Sequence, residues 1–452
     1  MLSRKKEILL AAFMVVVFNF YLAAQMQDIF VINYSDTNAV KAKFGVLLFP
    51  DDTLLHGKYY TYFKSGRKAV EGVYEKGLRV GVFYQYYDST GSPIEAIAHY
   101  NQAGKLDGDY IVFYPNGDTL QYTLYRNDIM LLSKSFYQGN ILRNVSRFKN
   151  GKLHGEVLEY YPTGILKSKI YYEEGKQHGK AYLYYPSGAL KAEEDYVNSF
   201  QDGWIRTYFD TNGTTKGAPA IEMQVKRGVR DGIFKRYDPQ GHLLEEGFFR
   251  QNLPHGEYKE YYPSGQIRRK IVYDLGTRIG QALHYHENGQ VAKVIDYKDR
   301  EIQQSIVEFD TSGNKLREYQ LYKHKPHGKW IEYYPGGAIK EKRQYKDGLL
   351  DGWVKTYDEQ GHLQKEEPYK AGRMEGEAIY YYPNGKVHKK VTYKYGRKHG
   401  TYVEYTAEST EKQRGQFAND LPHGEWIITS ENGKKRVLYQ HGVIMKEEPL
   451  QP

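Results

Sequence analysis

Seven histidines stand immediately before a glycine that recurs at one phase of the sequence: His56, His154, His178, His255, His327, His399 and His423. Imidazoles at one recurring phase suit two kinds of chemistry, a row of metal sites or a face that charges as the pH falls. Successive members would lie two strands apart, about 9.6 Å in a sheet. Two imidazoles reach one ion from there, but no third ligand accompanies them, and a structural zinc takes four. The same position also accepts Asp107, Asp202, Asp231, Asp351 and Glu375. A column that takes His, Asp and Glu alike reads as a turn position with a hydrogen-bonding preference.

Other chemistry is scarcer. There is no Cys in the 452 residues, which excludes disulfides, thiolate metal ligands and thiol nucleophiles. Asp and Glu are common, yet no pair stands out from its surroundings, and no phosphate loop or dinucleotide fingerprint occurs. A hydrolase would break the pattern where its catalytic groups lie. The places to look are Leu131, Gln304 and the insertion from Thr211 to Ile221, and none holds a His-Asp-Ser or His-Glu grouping. The reading is a chain that is not an enzyme, with no catalytic residues, no metal and no cofactor. The formal charge is +9. Basic residues concentrate at Lys167, Lys169, Arg268, Arg269, Lys270, Lys340, Lys342, Arg343, Lys389 and Lys390, alternating with Tyr. They form a candidate binding stripe for an anionic envelope polymer or lipid headgroups, or a solvated face that keeps a long sheet soluble. Nucleic acid is not expected.

The elements that would position these residues come from a repeat. Gly155, Gly179 and Gly203 are 24 residues apart, as are Gly232, Gly256 and Gly280, and Gly328, Gly352, Gly376, Gly400 and Gly424. Gly57, Gly81 and Gly108 start the series, and Leu131 and Gln304 fill two degenerate positions. A fixed period of this length means a stacked array. Each unit has two short runs rich in Tyr, Val, Ile and Phe, joined by a turn that often reads Tyr-Pro-x-Gly: Tyr114, Tyr161, Tyr185, Tyr262, Tyr334 and Tyr382 open it. Pro presets φ for a type I turn and Gly accepts the left-handed position after it, which gives a three-residue hairpin loop with a bulge. The fold expected is all-β, an elongated twisted antiparallel meander of about sixteen 24-residue hairpins.

Aromatic columns should hold that sheet together. Five residues after the anchor, Tyr160, Tyr184, Tyr208, Tyr237, Tyr261, Tyr285, Tyr333, Tyr357, Tyr381 and Tyr405 form a candidate ladder. A second column lies seven residues before the next anchor, as at Tyr74, Tyr172, Phe249, Tyr273 and Phe417. The position two after the anchor is apolar too. Positions two and five differ in parity, so either both sheet faces are partly covered or a bulge resets the register.

Before the array, Arg4, Lys5 and Lys6 precede an apolar run from Ile8 to Phe18 and the small residues Ala23 and Ala24. Residues 1–24 read as a cleaved signal peptide or an N-terminal anchor. Residues 25–56 would cap the array, 57–434 would form it, and 435–452 would cap its far end. The location expected is the periplasm or cell envelope.

The pattern Gly-x-aromatic-x-x-Tyr-Tyr-x-x-Gly resembles the MORN repeat in its bacterial variant, of the YwqK-type antitoxin-like kind, over roughly Gly57 to Gly442. The resemblance implies a β-meander without catalysis of its own, used in membrane attachment, scaffolding or protein contact. The antitoxin label implies neutralising a partner protein by direct binding, the alternative to an envelope scaffold.

Overall fold

The computed structural model describes residues 25–35, 38–49, 51–213, 215–431 and 433–450. The expected signal segment, 1–24, lies outside the described residues. Among these residues every regular element is a strand, thirty-nine in all. The chain divides into two units, Met1–Gly228 and Val229–Pro452. Each is an open antiparallel meander in which a strand pairs with its neighbours in sequence.

The hairpin expected of Tyr-Pro-x-Gly is the one formed. In the unit beginning at Gly155, strands Gly155–Tyr160 and Leu166–Glu173 pair from Gly155↔Tyr172 to Glu159↔Ser168. Gly164 has φ +82° and its N–H donates to the Tyr161 carbonyl at 2.8 Å. The Tyr161 N–H then donates to the Ile165 carbonyl, and the register shifts by one at Tyr160. At the other end, Glu173 pairs with Lys176 across Glu174 (φ +49°) and Gly175 (φ +82°), a two-residue turn whose positive φ values match the strand twist.

The anchor glycine opens its strand at Gly155, Gly256, Gly352 and Gly376, and elsewhere lies inside a longer one. Gly179 lies inside Lys176–Tyr184, with φ +75°. Around it the register steps from Tyr172↔Gln177 to Ile170↔Ala181, so four steps on one strand face two on the other. Only a residue tolerant of positive φ sits comfortably in such a bulge. Where Gln304 replaces the anchor, the bulge is gone: Lys293↔Glu308 runs to Lys298↔Gln303 without a shift. The surplus residues move into the turn, where Asp299, Arg300 and Glu301 all take positive φ.

Pairing is regular from the anchor to the fourth residue after it, so positions two and five point to opposite faces. The second-position face is the covered one. Ala181, Ile205, Ala282, Val354, Ala378 and Trp426 are buried on it, with Ile271, Ile295 and Val391 from the returning strands. Side-chain size is matched across strands. Ile170 faces Ala181. Where the returning strand carries Gly72, Gly247 or Gly415, the neighbour is Phe83, Tyr258 or Trp426, whose ring lies where a Cβ would be.

The ring ladder also runs on this face. Phe30, Phe44, Tyr59, Tyr74, Phe83 and Tyr100 follow one another with centroids 5.0–6.2 Å apart. Phe234, Phe249, Tyr258 and Tyr273 repeat the motif, as do Tyr402, Phe417, Trp426 and Tyr439. These are second-position rings alternating with those seven before the next anchor. They sit on adjacent strands, within the 4.5–7 Å at which aromatic pairs attract, each adding about 0.5–1.5 kcal/mol. The fifth-position tyrosines are two strands apart, about 9.6 Å, too far to stack on each other.

Candidate functional site

The fifth-position tyrosines, Tyr160 to Tyr405 in the expected ladder, belong to the open face, among charges, and are half-buried except Tyr208, which is buried. Lys216 lies over Tyr208 at 4.1 Å, Lys315 over Tyr333 at 5.8 Å and Lys342 over Tyr357 at 5.4 Å. Tyr261 donates to Glu246 at 2.6 Å and Tyr381 to Glu366 at 3.1 Å. Burial and then the Glu246 hydrogen bond push the Tyr261 phenol up to about 12. In these units the fifth-position Tyr is thus engaged by a Lys or a Glu of the same face.

The basic stripe is divided between the faces. Lys169, Lys270, Lys342 and Lys390 stand on the open face, opposite third-position residues. Arg269, Arg343 and Lys389 stand on the covered face. Lys167, Arg268 and Lys340 are the extra residues of the hairpin bulges. Most are engaged: Lys167 with Glu159, Lys169 with Glu156, Lys270 with Glu257, Lys390 with Glu377, Arg343 with Glu332. Lys340 and Lys389 lie over Tyr334 and Tyr380.

Two features of the open face depart from this pattern. Trp353 occupies the first position after an anchor, where neighbouring units carry Lys329 and Glu377, and it is 45% exposed. It borders a cleft of about 320 Å³ with Ile331, Lys329, Lys342 and Lys355. Phe248, opposite Ile233, is exposed as well.

On the covered face, fourth-position residues in the units from Arg236 to Glu332 pair with the returning strand as a column of charges. Arg236 meets Glu245, Glu260 meets Arg269, Glu308 meets Lys293 and Arg317, and Glu332 meets Arg343. His284 interrupts the column, opposite Arg269 on one side and Lys293 on the other. Burial first, then the Arg269 and Lys293 cations, hold its pKa below the usual imidazole range.

Three of the seven histidines in the column serve the turns, whereas the buried Nδ1 of His154 and of His423 has no hydrogen-bond partner. His56, His255 and His327 accept through Nδ1 the N–H of Lys76, Leu275 and Asp347 at 3.3–3.4 Å, in the turn 20 residues onward. Asp231, Asp351 and Glu375 accept the equivalent N–H of Gln251, Ala371 and Tyr395. One acceptor for one turn donor explains why the position takes His, Asp or Glu. Among the described residues no cluster of three metal-ligating side chains occurs.

Sequence reasoning missed a second link between units. The tyrosine before each turn proline donates its hydroxyl to the carbonyl of the fifth-position residue of the next unit. Tyr114 reaches Phe136, Tyr161 reaches Tyr184, Tyr185 reaches Tyr208, Tyr262 reaches Tyr285, Tyr334 reaches Tyr357 and Tyr382 reaches Tyr405, all at 2.8–3.0 Å. The available signal was the recurrence of Tyr at a position where turn chemistry needs only a backbone. Where Asp238, Asp310 or Asp358 takes that place, its carboxylate accepts N–H groups of its own loop instead.

Comparison with curated proteins yields no match. Among solved structures, a chain of the Photorhabdus luminescens Tc holotoxin pore, in a mutant form, aligns with 91% of this chain at 11% identity and a TM-score of 0.13. The chain spans 25% of the length of that one, and a likeness this low carries no argument. The MORN repeat variant family model matches residues 153–174, 177–198, 230–251, 254–274, 278–299, 326–347, 350–371 and 374–395. The MORN repeat model matches residues 414–425. These segments fall on the hairpins described above, and the chain carries eight repeats of the MORN variant form and one match to the MORN repeat itself.

Proposed function

We propose that this protein is a non-enzymatic binding or scaffold module of the cell envelope, exported by residues 1–24. Its working surface is the open face, and its partner is an anionic envelope polymer. The observation that carries this reading is the pairing of Lys with the fifth-position Tyr in two successive units, Lys315 over Tyr333 and Lys342 over Tyr357. A site that is shallow in one unit becomes strong when a repeating polymer meets several in register. Terminal segments 25–56 and 435–452 act as caps, as solenoid arrays require.

A second reading, a protein that neutralises a partner protein by direct contact, draws on the exposed Trp353 and Phe248. Exposed aromatic anchors suit a protein interface. The two separate by salt and by truncation. Residues 25–452 are offered to isolated envelope polymer and to envelope proteins at about 50 and about 200 mM salt. Polymer retention that falls steeply with salt, and with each pair of units removed, supports the scaffold. Stoichiometric capture of one protein, insensitive to salt and dependent on a few units, overturns it.

A further inference from the structure

Between Arg236 and Glu332 the charge column of the covered face has one gap. At the fourth position, Glu260, Glu308 and Glu332 each hold cations of the returning strands, and His284 stands between the first two. Glu260 serves Arg269 and Arg268, and Glu308 serves Lys293 and Arg317. Four cations therefore share two carboxylates. The imidazole contributes no negative charge of its own.

A cleft of about 400 Å³ opens at this point. Arg268, Arg269, His284 and Lys293 line it together with one carboxylate, the Glu308 that Lys293 holds, and Tyr262 and His286 border it at the turn end. Two positions along the same strands, Ile271, Ala282, Ile295 and Ile306 form a buried cluster with Tyr297. The cations thus stand on packed strands rather than on a loop. Tyr262 and His286 are fixed too, the first on the Tyr285 carbonyl at 2.8 Å and the second on the Phe309 carbonyl at 3.0 Å.

We infer that this cleft is a binding site for a small phosphate-bearing anion, which takes the place of the carboxylate missing at His284. Arginine matches a tetrahedral oxyanion with paired N–H donors, and lysine adds a point charge. Imidazole supplies one donor without a competing negative charge. The site goes beyond the repeated surface proposed above, because it depends on a break in the repeat and lies on the other face. It commits to a soluble phosphate group rather than to a membrane.

The test is calorimetric titration of the full chain with inorganic phosphate and with glycerol phosphate, alongside His284→Glu and His284→Gln. The wild type should bind both ligands, and saturating phosphate should raise its melting temperature. His284→Glu restores the column and should weaken binding at least tenfold, whereas His284→Gln should retain it within a few-fold. Urea midpoints verify that both variants fold. The inference is overturned if inorganic phosphate fails to bind the wild type, if His284→Glu binds it equally well, or if only vesicles containing phosphatidic acid are bound. Polymer retention is measured separately, so loss of one reading leaves the other standing.

Discussion

The Tyr161 hydroxyl donates to the Tyr184 carbonyl at 2.9 Å, and Tyr185, one residue further, repeats the bond to Tyr208 at 2.9 Å. Each hairpin tip is thereby tied to the next, beyond the strand pairing that already joins them. A hydrogen bond of this kind adds about 0.5–1.5 kcal/mol net. Tyr161→Phe and Tyr185→Phe should each lower stability by about 1 kcal/mol in urea unfolding, with the ring packing retained. Because the two sites are neighbours, the double variant should depart from additivity. Unchanged midpoints in the double variant would show that the bonds contribute nothing.

Glycine at the covered face should be irreplaceable for a reason of space. Gly247 and Gly415 lack the positive φ of the anchors, yet a Cβ there meets the ring of Tyr258 or Trp426. Gly247→Ala should cost about 1–3 kcal/mol, the usual penalty of overpacking. Much of that loss should disappear in a Tyr258→Ala background. Gly336, with open space around it, is the control, and Gly336→Ala should be neutral or slightly stabilising. Equal losses at Gly247 and Gly336 would refute the steric explanation.

Tryptophans should divide by their phase in the repeat. Trp426, second after its anchor, is 5% exposed, whereas Trp353, first after its anchor, is 45% exposed. Trp426→Ala should cost about 3–5 kcal/mol. Trp353→Ala should stay within about 0.5 kcal/mol of wild type. Iodide should quench Trp353 far more than Trp426. A structural role for Trp353 would appear as a large loss in the same unfolding curves.

Acid should act through Glu404. Burial works to raise its pKa, but hydrogen bonds from Gln413, Tyr402 and Lys412 reverse that and bring it to about 2, against an ordinary 4.5. A depressed folded value means stability that is complete above the unfolded pKa and lost as pH falls through the folded one. Between about pH 4.5 and about pH 2, the wild type should lose stability more steeply than Glu404→Gln. Parallel curves over that window, by denaturant midpoints, would exclude this contribution.

Much of the architecture is legible from residues that the backbone itself demands. Gly164 and Gly175 announce two turns of opposite ends, and their spacing fixes the hairpin. Gly179 was legible as a marker but not as a bulge, because a glycine at positive φ inside a strand leaves the same trace as one at its start. The ladder is half legible: the column seven before the next anchor takes part in it, as at Tyr74, Phe249, Tyr273 and Phe417, but the fifth-position column does not, because column periodicity does not measure distance. Fifth-position tyrosines recur more faithfully than second-position rings, but only the latter alternate with rings on the adjacent strand. The basic residues were legible as a group. Their division between faces was not, since Arg269 and Lys270 are neighbours in sequence and opposites in the sheet. His284 carries no motif at all, and its interest comes from the Glu260 and Glu308 that flank it once the strands are paired.

The tyrosine tie is absent wherever Asp238, Asp310 or Asp358 turns its carboxylate back on its own loop. Under a pulling load these junctions are the creases along which a sheet would tear first. A protein stretched between two attachments would therefore lengthen in a few set steps rather than fraying uniformly, and would keep the intervening blocks of hairpins intact.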